Sequence, residues 1–137
     1  MTATNINLDE LLERSGNGPL KGMLVADFSR VLAGPYSTML LADLGAVVVK
    51  VETPNGEDTR RWKPPVRGED ATYYLSINRN KLDITLDFKN PGDLKLAKEL
   101  ASRADVMVEN FKPGGLNRFG LDYESVKAVN PSIVYAS

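Results

Sequence analysis

The chain has 137 residues, a formal net charge of -1, and neither histidine nor cysteine. Its length and its 42% of hydrophobic residues predict one folded domain rather than a disordered chain. Without histidine and cysteine, these residues cannot form serine–histidine or cysteine–histidine catalytic sites, disulfides or thiolate metal sites. The balanced charge argues against a broad surface for nucleic acid, so any anion site must be local.

The N-terminal segment, residues 1–19, is predicted to be a flexible extension of a domain formed by residues 20–137. Leu8, Leu11 and Leu12 recur at helical spacing and allow one short helix within this segment. A basic start followed by an apolar stretch is missing, and no run approaches the ~20 apolar residues that span a bilayer. We therefore expect a cytoplasmic protein without a membrane partner.

The first part of the domain has the pattern of a strand–helix–strand unit. Residues 23–28 form a short apolar run typical of a buried strand, and Pro35 suits the first turn of a helix that ends at Gly45. Residues 47–51 (VVVKV) are nearly all β-branched, as in a strand covered on both faces of a parallel sheet. This pattern predicts a parallel crossover.

The middle of the chain contains a long polar stretch followed by two further elements. Residues 53–68 are too many and too polar for a simple connection, which favours a functional loop. Residues 82–87 (LDITLD) alternate between apolar and polar, as in a strand with one wetter face near a sheet edge. Asp93 is then placed to cap a helix that carries apolar residues on one side.

The last third of the chain continues the alternation of strands and helices. We predict strands at residues 106–108 and 133–136, a short turn at 116–119, and a helical segment at 123–129. The order of elements predicts an α/β fold with a Rossmann-like, mostly parallel sheet flanked by helices. Because a parallel sheet would need a further crossover to cover the last strand, we expect the chain to be truncated.

Ligands of parallel sheets bind outside the carboxyl ends of the strands, so the residues that follow each predicted strand are the candidates for a site. The loop after the first strand also leads into a helix N-terminus, where free amides favour an anion. The polar or close-approach positions after the strands are 29–35, Glu52, Arg60, Arg61, 86–89, 110–114 and Arg118.

Taken singly, these positions also fit ordinary structural roles. Glu52 ends a strand, where an acid is commonly a hydrogen-bond acceptor, and Arg60 and Arg61 can be solvated loop charges. A glycine turn followed by Glu52 also imitates a dinucleotide-binding site. However, Gly34 stands alone where that fingerprint needs three closely spaced glycines, which argues against NAD or FAD.

An ordered set of motifs resembles the opening of the family III CoA-transferases, the CaiB/BaiF family. The motifs extend from about residue 20 to residue 137, and each is weak alone whereas their order and spacing are specific. They are AGP at 33–35, LADLGAVVVKVE at 41–52, GED at 56–58 followed by Arg60, NRNK at 78–81, ITLD at 84–87, ADVMVENFKPG at 104–114, RFGL at 118–121 and Asn130-Pro131.

The resemblance implies the N-terminal part of a Rossmann-like large domain in an interlocked homodimer. It implies a transferase that moves coenzyme A from an acyl-CoA to a free carboxylic acid, nearest to the succinate-linked (dicarboxylate-type) or formyl-CoA transferases, without a metal. Its nucleophile would be an aspartate beyond residue 137 that forms a mixed anhydride, so no residue of this chain is assigned to catalysis. An α-methylacyl-CoA racemase and a non-catalytic CoA-binding or dimerisation module remain alternatives.

The resemblance also implies the residues that contact CoA. Several family members carry an arginine directly after the acid that ends the second strand, whereas this chain has Thr53. Arg60, Arg61 or a residue beyond the end of the chain is left to supply that phosphate contact. The implied CoA contacts are Arg30, Val31, Leu32, Ala33, Leu86, Asn110, Lys112, Arg118 and Phe119.

Overall fold

The structure of the protein, a computed structural model, describes residues 7–137. Its strands are β1 (Leu24–Asp27), β2 (Val47–Glu52), β3 (Val66–Arg67), β4 (Asp70–Ala71), β5 (Leu82–Thr85), β6 (Val106–Val108) and β7 (Val134–Ala136). Its α-helices are α1 (Leu8–Leu12), α2 (Ala33–Asp43), α3 (Thr72–Ile77), α4 (Pro91–Arg103) and α5 (Tyr123–Val129). None of these helices combines the length and the apolar character needed to cross a membrane.

Five strands form one parallel sheet in the order β5-β2-β1-β6-β7, and β3 and β4 form a separate antiparallel hairpin. The predicted α/β fold with a parallel sheet is therefore confirmed. From β1 the chain adds β2 and β5 on one side and then β6 and β7 on the other. The direction of winding reverses between β1 and β6, and ligands of such sheets bind at this reversal, beside the carboxyl ends of the strands.

The apolar runs of the sequence correspond to β1 and β2. Helices cover the sheet on both faces, so both sides of these strands are buried. Every residue of β1 and β2 is buried, whereas β5 at the sheet edge alternates between half-buried and exposed residues. This confirms the predicted edge strand, which ends at Thr85 rather than at residue 87. The larger core, which contains Phe28, Met107 and Leu100, lies on the face covered by α4 and α5, and a smaller one lies under α2.

The N-terminus of α4 differs from the prediction. Its cap is Asn90, whose Oδ1 accepts a hydrogen bond from the Gly92 amide at 2.8 Å, and Pro91 occupies the first helical position. Asp93 was the predicted cap, but its carboxylate instead accepts from the Asp87 amide at 2.9 Å. The reason is that proline fixes a helical φ and lacks an N–H, which suits the first position and makes the preceding residue the cap.

Pro35 lies in the first turn of α2, as predicted. The helix begins at Ala33, so Pro35 is its third residue, where a missing amide hydrogen is harmless because the first four helical amides have no partner within the helix. The predicted end is confirmed, since Gly45 adopts a φ of 104° directly after the last turn. The loop after β1 is consequently short.

The predicted short helix near the N-terminus is confirmed as α1. Leu8 is 1% exposed within the larger core, and Asp9 forms an ion pair with Arg103 on α4. The Ser15 hydroxyl donates to the Gly45 carbonyl at 2.7 Å. Residues 7–19 thus contact the domain, residues 1–6 lie outside the described residues, and a flexible extension ending at residue 19 stays a prediction.

Candidate functional site

A cavity of about 330 Å³ opens at the carboxyl ends of β1, β2 and β5, close to the point where the winding reverses. Its walls come from four loops that each follow a strand of the parallel sheet. The lining residues are Phe28, Arg30, Val51 and Glu52, the loop 53–58, Arg61, 86–89, Phe111, Arg118 and Phe119.

Four of the residues predicted to contact a ligand line this one cavity: Arg30, Leu86, Arg118 and Phe119. They are far apart in sequence, and the sheet brings them to one edge as predicted. Lys112 lies elsewhere, at a second cavity of about 660 Å³ beside the carboxyl ends of β6 and β7. The other four predicted residues line neither cavity: Asn110 follows β6, and residues 31–33 lead from β1 into α2.

Asn110 lies beside the cavity and clamps the loop that follows β1. Its Oδ1 accepts a hydrogen bond from the Arg30 amide at 2.8 Å, and its Nδ2 donates to the Arg30 carbonyl at 2.7 Å. These two bonds join the loops after β1 and β6 across the reversal point. Asn110 therefore positions the backbone of Arg30, whatever further contact it makes with a ligand.

The remaining predicted residues lead into α2. Val31 and Leu32 are exposed, the latter by 49%, and Ala33 is the first residue of the helix. No side chain forms a hydrogen bond to cap this helix at Leu32, and Pro35 has no amide hydrogen, so Ala33 and Gly34 are the residues of its first turn whose amides can bind an acceptor from outside. Gly34 is required here, because a Cβ at this position would lie 2.3 Å from the Cβ of Ser29.

Aromatic rings form one side of the cavity. The ring centroids of Phe28 and Phe88 are 5.9 Å apart, and those of Phe88 and Phe119 are 5.4 Å apart. At the rim, the Arg118 guanidinium lies 4.6 Å from the Phe119 centroid, and that of Arg30 lies 5.1 Å from the Phe111 centroid. A flat apolar group that carries anionic substituents fits this combination.

The charges around the cavity favour an anion. Glu52 and Glu57 are both buried. Glu52 forms an ion pair with Arg60, and Glu57 forms one with Lys50. Among the ion pairs within residues 7–137, none involves the lining cations Arg30, Arg61, Lys89 and Arg118, all of which are exposed. These four outnumber the two acids of the lining that are also in no ion pair, Asp58 and Asp87. No cluster of carboxylates suited to a metal ion occurs in this described part of the chain.

The guanidinium group of Arg60 binds other side chains of the protein. Arg60 donates to both oxygens of Glu52, at 2.8 and 3.0 Å, and to Asp83 at 2.6 Å, and its guanidinium lies 3.9 Å from the centroid of Tyr74. Although burial raises the pKa of Glu52, the hydrogen bonds from Arg60, the Glu57 amide and Tyr74 hold it below its usual range. Of the two arginines left to replace a contact at Thr53, Arg61 is the one that lines the cavity.

Two buried ion pairs support the loop after β1. Lys81 Nζ lies 3.0 Å from Asp27 Oδ2, Lys50 Nζ lies 2.9 Å from Glu57 Oε2, and all four side chains are at most 2% exposed. Lys50, Lys81 and Glu57 were not predicted from the sequence to be functional. The available signal was the lysine within VVVKV, because a charge in a strand buried on both faces requires a buried partner.

Asp83 provides a test of the cluster around Arg60. Burial, together with the charge of Glu52, raises its pKa to about 6 from the usual 3.8, despite the ion pair with Arg60. Its contribution to stability is then fully present below about pH 4 and is lost as the pH rises through about 6. We expect the stability of the native protein minus that of Asp83→Asn to fall between pH 4 and 7, measured by urea unfolding.

The matched control has the opposite sign. A hydrogen bond from Arg79 lowers the pKa of Asp43, so the stability difference between the native protein and Asp43→Asn should rise with pH through the acidic range. A difference for Asp83→Asn that rises with pH in the same way would contradict the environment assigned to Asp83.

Comparison with known proteins identifies the family to which this chain is similar. The model of CoA-transferase family III matches residues 20–137. A succinyl-CoA:glutarate CoA-transferase of Homo sapiens is 52% identical over 120 residues, which are 87% of this chain and 27% of the human protein. A formyl-CoA:oxalate CoA-transferase of Streptomyces coelicolor is 46% identical over 118 residues, which are 86% of this chain and 29% of the relative.

The solved structures show the same likeness. A CAIB/BAIF family protein from Brucella suis matches with a TM-score of 0.83 and 50% identity, over 88% of this chain and 33% of that protein. The chain thus spans about a third or less of the length of the relatives it matches.

Proposed function

Because the chain belongs to CoA-transferase family III, as its motifs predicted, we propose that it forms the coenzyme A-binding part of an enzyme that moves CoA from an acyl-CoA to a free carboxylic acid. The observation that carries the proposal is the cavity at the reversal point, which joins aromatic rings to Arg30, Arg118 and Lys89. Relatives named for glutarate and oxalate favour a dicarboxylate as acceptor.

The cavity is suited to the nucleotide end of CoA. Its volume lies at the lower end of the ~300–1,000 Å³ usual for small-molecule sites, enough for a base and ribose rather than the whole carrier. The rings of Phe88 and Phe119 would pack on the base, and the guanidinium groups of Arg30 and Arg118 would bind phosphate oxygens. Leu86 would complete the apolar side.

The pyrophosphate would lie near the start of α2. The uncapped first turn offers backbone amides, and the helix dipole adds a partial positive charge at that end. In this proposal Val31, Leu32 and Ala33 contact CoA through their backbone, and Asn110 contributes through Arg30. Lys112, in the second cavity, would reach a more distant part of the carrier.

The chain would contribute binding energy rather than the nucleophile. We assign the chemistry to an aspartate beyond residue 137, whose carboxylate attacks the thioester carbon and expels the CoA thiolate as the mixed anhydride forms. Tight binding of the remote nucleotide holds the thioester in place, and the binding energy can lower the barrier to reaction at the thioester carbon. This mechanism needs no histidine, and we propose that it operates in an interlocked homodimer.

A hybrid enzyme tests the proposed reaction. In it, residues 20–137 replace the matched segment of the human succinyl-CoA:glutarate CoA-transferase, and the unmodified human protein is the reference. We expect the hybrid to form glutaryl-CoA from succinyl-CoA and glutarate, measured by chromatography. A folded hybrid that binds CoA but transfers nothing would favour a binding module, and loss of an α-deuteron without CoA exchange would favour a racemase.

Arg118→Ala tests the phosphate contact directly. A charge-assisted bond to a phosphate contributes about 1.5–3 kcal/mol, so CoA should bind roughly 10- to 100-fold more weakly to this variant, measured by calorimetry. Arg67→Ala is the matched control, because Arg67 is exposed on the β3–β4 hairpin and away from the cavity. Unchanged affinity in Arg118→Ala would remove this residue from the site.

A further inference from the structure

Val31 has a backbone conformation that its own side chain disfavours. Its φ is 72°, in the left-handed region where a β-branched residue is a genuine outlier. Such strain persists only where neighbouring groups determine the conformation, and it is concentrated at sites that bind or react. Val31 lies two residues before the start of α2, where the proposed pyrophosphate contact begins.

The group that fixes Val31 is the buried carboxylate of Glu57. Its Oε1 accepts a hydrogen bond from the Val31 amide at 3.0 Å, while Oε2 pairs with Lys50 Nζ at 2.9 Å. Lys50 Nζ also donates to the Ser29 carbonyl at 3.1 Å. One carboxylate therefore holds the loop on both sides of Arg30, directly at Val31 and through Lys50 at Ser29.

Glu57 is itself held in place by hydrogen bonds on the side away from Val31. Its amide donates to Glu52 Oε2 at 2.8 Å, and Glu52 is bound by Arg60 and by the Tyr74 hydroxyl. The Glu57 side chain is 1% exposed, so water does not compete for its oxygens. Asn110 binds the carbonyl of the same Arg30–Val31 peptide unit, and Glu57 is the side chain that binds its amide hydrogen.

We propose that Glu57, oriented by Lys50, is a positioning residue that holds Val31 in the left-handed conformation and so aims the first amides of α2 at the ligand. This inference rests on the proposed CoA site and deepens it. Glu57 itself binds no part of the ligand. It acts through the backbone of Val31.

The test combines a variant of Glu57 with a rescue at Val31, using CoA as the probe and calorimetry on the 137-residue chain. Glu57→Gln leaves Lys50 without its anion and should weaken CoA binding about tenfold. Adding Val31→Gly should recover most of that loss, because glycine adopts positive φ without strain. General damage to the core would not be recovered in this way. Glu99→Gln, exposed on α4, is the control and should bind normally.

A second variant and a second measurement cover the case in which Glu57→Gln does not fold. Lys50→Met combined with Glu57→Leu removes both buried charges together, which is far less costly than removing one, and should show the same loss of affinity. ¹⁵N NMR of Glu57→Gln and of the Lys50→Met, Glu57→Leu variant should show the Val31 amide losing the shifts of a left-handed residue bound to a carboxylate.

The outcomes separate the two proposals. If the native chain does not bind CoA, the proposed function fails, and the NMR experiment still decides whether Glu57 fixes Val31. If the native chain binds CoA and the Glu57 variants bind it equally well, or if their Val31 signal does not move, the positioning role is wrong.

Discussion

Replacing Lys81 by methionine is expected to lower the free energy of unfolding by about 3–5 kcal/mol, the usual effect of removing one partner of a buried ion pair. Lys81 Nζ lies 3.0 Å from Asp27 Oδ2 and also donates to the Pro35 carbonyl and to Asn78 Oδ1. The variant leaves the Asp27 carboxylate, which is 0% exposed, with the donors of Ser29 and Thr38 but without a counter-ion.

The loss should come from the stranded carboxylate rather than from the missing attraction. Burial lowers the pKa of Lys81 from its usual 10.5, which means that the pair with Asp27 does not fully offset the cost of removing the ammonium group from water. The pair as a whole therefore adds little net stability, yet either charge alone is strongly unfavourable.

Arg79→Met is the matched control for Lys81→Met. Arg79 lies two residues earlier and pairs with Asp43 at 2.7 Å, but its side chain is 53% exposed. An exposed ion pair contributes about 0–1 kcal/mol, so this variant should unfold nearly as the native protein does. Both are compared by urea unfolding at neutral pH. Equal losses in the two variants would mean that Lys81 is not buried with Asp27 as described.

The parallel sheet and the convergence of its loops were predictable because they follow from local patterns and one general rule. The apolar runs that became β1 and β2 identify strands buried on both faces. Once strands and helices alternate, the carboxyl ends of the strands must lie at one edge, and this placed Arg30, Leu86 and Arg118 around one cavity.

The sequence did not predict which polar side chains bind other protein groups and which line the cavity. Arg60 and Arg61 are adjacent and chemically identical, and only the positions of Glu52 and Tyr74 decide that Arg60 is bound internally. Similarly, Asn110 carries no signal that its amide binds the backbone of Arg30. These roles depend on which partners lie within about 3 Å after folding, and spacing along the chain does not encode such distances.

The contrast between fold and site is clearest for Glu57. Within a polar loop it resembles its exposed neighbour Asp58, yet one is 3% exposed and the other lies at the surface. The difference arises because Lys50 in β2 needs an anion and the loop passes directly over it. A buried lysine in the sequence therefore predicts that a buried acid exists, without identifying which one.

Phe28→Ala should lower the free energy of unfolding by about 3–5 kcal/mol, the range for removing a buried aromatic side chain. Phe28 is 1% exposed, belongs to the larger core and also lines the proposed CoA cavity. Its truncation would join the site to a new void beneath it, and the ring of Phe88 would lose its neighbour at 5.9 Å. Urea unfolding measures the loss.

Phe119→Ala separates packing from ligand binding, because Phe119 lines the same cavity but is only half-buried. We expect it to lose less stability than Phe28→Ala and more of its CoA affinity, since its ring lies beneath the Arg118 guanidinium at the rim. If Phe28→Ala instead kept its stability and lost only CoA binding, Phe28 would be part of the ligand surface and not of the core. In that case the Phe28 ring would face the ligand rather than pack between β1 and α4, because truncating a packed ring leaves a void whose destabilising effect grows with its volume.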